Sequence, residues 1–130
     1  MVDLAVLGPS LLDWQDPSVT ALVEEVGSAD LVVVASPTYK ATYTGLLKLF
    51  LDRFAGGTGL RGVAVPLMLG AGPAHALAPD LVLKPILVEL GATCPTQGLY
   101  LLDSNYADGV AMDAWVERWG GAVQRQLAEG

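Results

Sequence analysis

The chain has 130 residues, 52% of them apolar, with a mean hydropathy of +0.47, which is enough to bury a core and too apolar for a disordered segment. Seven Lys+Arg against fourteen Asp+Glu leave a net charge of -7, which repels a phosphate backbone or an anionic membrane surface and argues against nucleic-acid and membrane partners. One cysteine, Cys94, and one histidine, His75, exclude an internal disulfide and leave too few ligands for a zinc site, so no metal is expected.

The N-terminus, MVDLAVLGPS, has no basic region ahead of its apolar run, and no window reaches about 18 uninterrupted apolar residues, so a cytoplasmic single domain over residues 1–130 is expected. Val2 to Leu7 is a short apolar run and predicts a first strand. Asp16 and Pro17 then form an N-cap and N1 pair, and Val19, Leu22, Val23 and Val26 recur at helical spacing until Gly27. Leu31 to Ala35 predicts a second strand, buried on both faces.

Thr44 is placed to cap a helix that runs through Gly45–Phe54 toward Gly56 and Gly57. Its apolar residues cover two faces. Leu47, Leu51 and Phe54 make one, while Leu46, Leu49 and Phe50 lie on the adjacent one with Arg53, so a contact with another subunit is expected there. Val63 to Leu69 predicts a third strand. Pro79 to Leu90 predicts a helix ending at Gly91, with Pro85 inside it to kink or locally widen it. Leu99 to Leu102 predicts a fourth strand, and Met112 to Leu127 a last helix. Alternating strands and helices predict an α/β fold: an open parallel sheet with helices on both faces.

Ligands of such sheets bind beyond the carboxyl ends of the strands, where Ser36–Thr44, Gly70–Ala74 and Asp103–Ala107 should converge. In the first loop Pro37 stiffens the strand exit, and Tyr39 sets a flat amphipathic ring beside the Lys40 cation, which suits a planar electron-accepting ring. The plainer alternative is that Tyr39 and Tyr43 pack and Lys40 reaches to water. In the second, LGAGPAH, glycines let backbone amides approach a ligand closely.

The stretch SPTYKATYTGLLKLFLDRF, followed by VAVPLML, GAGPAH and ALAPDLVLKPILVELGA, resembles the NAD(P)H-dependent FMN reductases of the flavodoxin-like superfamily. The likeness covers roughly residues 28 to 102 and is nearest to reductases that supply reduced flavin to two-component monooxygenases, such as the alkanesulfonate systems. It implies FMN contacts from Pro37, Thr38, Tyr39 and Lys40 and from Gly70, Ala71 and Gly72, hydride transfer from NAD(P)H, and no catalytic acid or base of the protein's own. It also implies a homodimer or homotetramer assembled through the Gly45–Phe54 helix and a partner monooxygenase.

The sequence departs from that family at its start. The loop G-S-x-R-x-x-S, which holds the FMN phosphate in the family, has no counterpart, and VDLAVLGPSLLDW is more similar to the family's second strand and the segment after it. The fold expected is therefore flavodoxin-like without the family's first strand and phosphate loop. Three repairs of the sheet are open: Val2 to Leu7 shifts into the central place with GPS as a reduced ligand loop, a partner chain supplies the strand, or the strand lies upstream; the first is favoured. Loss of charge-assisted phosphate contacts, each worth ~1.5 to 3 kcal/mol, would weaken FMN binding by orders of magnitude.

In the alkanesulfonate-type reductases a tyrosine associated with a widened turn commonly stands at the place of Leu81. His75 reads as a local structural donor, and Asp80 with Lys84 as a solvated pair. Two further readings are a non-catalytic flavodoxin-like interaction subunit that has lost FMN binding, and a quinone or azo-compound reductase.

Overall fold

In a computed structural model describing residues 1–130, three parallel strands form one sheet in the order β1-β2-β3. They are β1 (Leu31–Pro37), β2 (Val63–Gly70) and β3 (Leu99–Leu102). Leu31 to Pro37 pairs in register with Val63 to Leu69, and Leu67 to Gly70 with Leu99 to Leu102. The central strand is buried almost throughout, which is why VAVPLMLG shows no polar alternation.

Pro66 sits in that central strand without breaking it. The Ala64 N–H reaches the Thr93 carbonyl on the β3 side, so by the two-residue alternation the proline nitrogen also faces that side. The β2–β3 ladder begins only at Leu67, one residue later, so no ladder bond is lost.

The run Val2 to Leu7 is not a strand. Leu4–Leu7 is one helical turn, α1, capped by Asp3, whose carboxylate accepts the Ala5 N–H at 3.0 Å, and Gly8 ends it with φ +49°. A 3-10 turn, Gly8–Leu12, comes next. Leu4, Leu7 and Leu11 therefore fall on one side and pack into the core, Leu11 fully buried, while Val6 is left in water. The expected four-stranded sheet is thus three-stranded, and the turn that contains GPS packs against the helix that starts at Gly45 instead of forming a ligand loop.

The helix α2 (Pro17–Gly27) starts as its sequence dictates, with the Asp16 carboxylate accepting the N–H groups of Ser18 at 2.9 Å and Val19 at 3.3 Å. Thr44 caps α3 (Gly45–Leu51) through the Leu47 N–H at 3.2 Å. Leu47, Phe50, Leu51 and Phe54 are buried within the chain, and the N-terminal segment lies against this helix, its Asp13 carbonyl accepting from Arg53 at 3.1 Å. Leu46 is half-buried, and only Leu49 of the helix's apolar residues is exposed.

The third predicted helix is divided. Pro79–Leu83 is a π-turn, in which the Lys84 N–H reaches back five residues to the Pro79 carbonyl, and α4 (Lys84–Glu89) continues from it. Widening just ahead of Pro85 accommodates a residue that lacks a donor and crowds the preceding turn. On the other face α5 (Val110–Glu129) covers the sheet, with Val123 and Trp115 against Val63 and Val65. No helix is long and apolar enough to cross a membrane.

Candidate functional site

The chain leaves β1 still tied to its neighbour, because the Thr38 N–H donates to the Leu69 carbonyl at 2.7 Å. Tyr39 and Thr42 then exchange backbone bonds, at 2.9 and 3.2 Å, around a two-residue turn of Lys40 and Ala41. Both central residues have positive φ, +53° and +67°, although neither is glycine. Left-handed backbone costs about 1–2 kcal/mol per such residue, so something must hold it. Buried Ser36 does part of this: its hydroxyl donates to the Pro37 carbonyl at 2.8 Å and accepts the Thr44 N–H at 3.0 Å, closing the base of the loop.

The loop after β2 is built differently. The Tyr100 hydroxyl donates to the Gly72 carbonyl at 2.7 Å, and the Gly70 carbonyl accepts the Asp103 N–H at 3.0 Å. A Cβ on Gly70 would overlap the Tyr100 hydroxyl, so glycine is required there for the tyrosine to lie across the backbone. At Gly72 a Cβ would meet nothing within 4 Å. Glycine at that position leaves open space rather than avoiding a neighbour.

These two loops meet in one cleft of about 410 Å³. Thr38, Lys40 and Ala41 line it from the first loop, and Gly70, Ala71, Gly72, Ala74 and His75 from the second, with Tyr100 as a further wall. Five of the seven expected residues are therefore brought together. Pro37 instead ends β1, and the Tyr39 ring stands largely in solvent, 65% exposed. The third loop, Asp103–Ala107, does not line the cleft but anchors it through the Asp103 bond to Gly70.

Lys40 is the only lysine or arginine in the lining. The Thr38 Oγ1 is buried with no hydrogen-bond partner, a costly state for a hydroxyl unless a ligand satisfies it. His75 is exposed at the end of a short 3-10 turn, Pro73–His75. Tyr100 went unmarked in the sequence, where its signal was a lone polar tip inside the strand LYLL, facing a neighbouring strand that ends in glycine.

Asp80 and Lys84 are more than a solvated pair. The ammonium lies 2.6 Å from Asp80 and donates to the Thr96 carbonyl at 2.7 Å, while Asp80 accepts the Gly98 N–H at 2.8 Å, and the two side chains are only 21% and 25% exposed. They tie the π-turn to the approach of β3, which carries Tyr100.

The family model described as NADPH-dependent FMN reductase matches residues 1–107. The chain is 37% identical over 95 residues to an FMN reductase (NADPH) of Escherichia coli, a match covering 73% of this chain and 50% of the relative. It is 36% identical over 98 residues to an FMN reductase (NADPH) of Pseudomonas putida, covering 74% and 50%. The chain thus spans about half the length of the curated relatives it matches. An NADH:FMN oxidoreductase solved in its apo form superposes with a TM-score of 0.81 at 32% identity, over 98% of this chain and 70% of that one. An oxidoreductase from Corynebacterium diphtheriae shares the fold, with a TM-score of 0.85 at 23% identity over 99% and 75%.

Proposed function

Because the chain belongs to the NADPH-dependent FMN reductase family, we propose that its cleft holds the flavin ring of FMN and that the protein serves the reduction of FMN by NAD(P)H. The observation that carries this reading is the meeting of two loops, distant in sequence, around a buried hydroxyl that lacks a partner. The cleft falls within the ~300–1,000 Å³ of small-molecule sites. Open space at Gly72 and the backbone of Gly70 and Ala71 suit close approach of a flat ring.

FMN, when bound, supplies the ring that accepts a hydride. The protein's share is position. Thr38 offers its hydroxyl to a ring heteroatom, Lys40 favours negative charge at the ring's polar edge, and the Gly70–Gly72 backbone sets the depth to which the ring enters. Tyr100 holds that backbone through the Gly72 carbonyl. Pro37 fixes the strand exit, and Tyr39, exposed beside the turn, is a ring available to cover the flavin or a nicotinamide.

The residues fit the ring better than the phosphate, since Lys40 is the only cation of the lining. That imbalance favours a second reading, an interaction subunit of the same fold without catalysis. Assembly as a homodimer or homotetramer through the Gly45–Phe54 helix, and delivery of reduced flavin to a monooxygenase, belong to the first reading; exposed Leu49 and half-buried Leu46 support the helix contact. Mixing the protein with FMN and following NADPH oxidation separates the two. Saturable flavin binding with oxidation supports the reductase, and no binding at high-micromolar FMN supports the interaction subunit.

A further inference from the structure

FMN offers a protein two handles, a flat ring and a phosphate dianion, and the second is gripped by cations or by the N–H groups that open a helix. In residues 1–130 both kinds of grip are taken up by the chain's own groups. Of the seven Lys and Arg, Lys48 pairs with Asp52, Arg61 with Glu24 and Lys84 with Asp80, each at 2.6 Å. Arg53 lies over the Trp14 ring at 5.0 Å and Arg118 over that of Trp119 at 4.9 Å. Arg125 stands well along α5, about 22 Å from the helix start at 1.5 Å per residue. Lys40 alone is left at the cleft.

The helix starts are closed in the same way. Of the two longest helices, α2 begins on the Asp16 carboxylate, and α5 on that of Asp108, which accepts the Val110 N–H at 2.9 Å, with Asp113 in its first turn. A carboxylate at a helix start uses up its positive end and repels a second anion. The segment after β3 works in the same direction. It is fastened to the cleft by the Asp103 N–H on the Gly70 carbonyl, and the Asp103 and Asp108 side chains are exposed. A net charge of -7 adds a general field against a dianion.

Lys40 itself is placed for the ring. Its turn is closed by the two backbone bonds between Tyr39 and Thr42, and it stands two residues from Thr38, whose hydroxyl is buried. A dianion brought to that hydroxyl would shed its water for one hydrogen bond, a large cost that a ring heteroatom does not meet.

We infer that the cleft selects a flavin by its ring and not by its phosphate, so that riboflavin, which has no phosphate, is bound as well as FMN. The inference rests on the flavin reading above and widens its ligand class to flavins with or without the phosphate. The phosphate of FMN stays in water.

The test titrates the full chain into a low-micromolar solution of FMN or of riboflavin and follows the quenching of flavin fluorescence. Riboflavin should bind no more than about threefold more weakly than FMN, since one charge-assisted hydrogen bond to phosphate would separate them by more than about tenfold. Added salt should weaken neither. Lys40→Gln removes the charge and keeps a polar side chain, so both flavins should lose affinity by the same factor while the circular dichroism spectrum stays that of the parent. Three results would overturn the inference and leave the flavin reading standing: a larger preference for FMN, weakening of FMN alone by salt, or a Lys40→Gln loss confined to FMN. Binding of neither flavin would overturn both.

Discussion

The two loops of the cleft reach the same place by opposite means. The loop after β1 is rich in side chains and holds two non-glycine residues in left-handed backbone, fastened at its base by Ser36 and Thr44. The loop after β2 is built mainly of small residues and is held by two distant ones, the Tyr100 hydroxyl on the Gly72 carbonyl and the Asp103 N–H on that of Gly70. The first spends conformational energy to place functional groups, and the second removes groups to make room. Substitutions should therefore fail in different ways in the two loops.

The largest contrast is expected at the two glycines of the second loop. Gly72→Leu points into open space, so thermal stability should barely change while the side chain fills the cleft and FMN binding is lost; a calorimetric titration beside a melting curve would show both. Gly70→Ala is the smaller chemical change with the larger structural effect. Its Cβ displaces Tyr100 and breaks the bond to Gly72, costing about 1–3 kcal/mol by denaturant unfolding.

In the first loop the signs reverse. Thr38→Val removes a buried hydroxyl that has no partner, so the ligand-free chain should gain up to about 1 kcal/mol while FMN binds more weakly. A loss of stability instead would mean the hydroxyl is already satisfied. Ala41→Gly relieves about 1–2 kcal/mol of backbone strain and loses about 0.4–1 through the more flexible unfolded chain, for a net gain of about 0–1.6 kcal/mol by denaturant unfolding.

The smallest effect lies outside both loops. The Ser18 side chain and the Val19 and Ser18 N–H groups hold the Asp16 carboxyl below its ordinary 3.8. A lowered folded value contributes stability above the unfolded one and loses it as pH falls through the folded one, so Asp16→Ala should differ from the parent at neutral pH and converge with it in acid. Melting temperatures across that range give the measurement.

Much of this was legible in sequence where the signal is local. Asp16–Pro17 and Thr44 each carry their cap with them, and β2 and β3 read as apolar runs of the right length. The N-terminal run misled because six residues, five of them apolar, fit a strand or a helical turn equally well. What decides between them is the surrounding structure: as a helical turn, Leu4, Leu7 and Leu11 share one side and have a core to enter. Asp80 and Lys84 read as a surface pair because their carbonyl and amide partners, Thr96 and Gly98, come from the approach to another strand. Tyr100 escaped notice for the same reason: a wall residue is defined by the loop it reaches.

The central claim is that both loops make one flavin site, and amide-resolved NMR of the nitrogen-labelled full chain during FMN titration tests it most directly. Saturable shifts at Thr38 to Thr42 and at Gly70 to Gly72, following a single binding curve, are the predicted result. Shifts confined to one loop, centred elsewhere, or absent at high-micromolar FMN would contradict it.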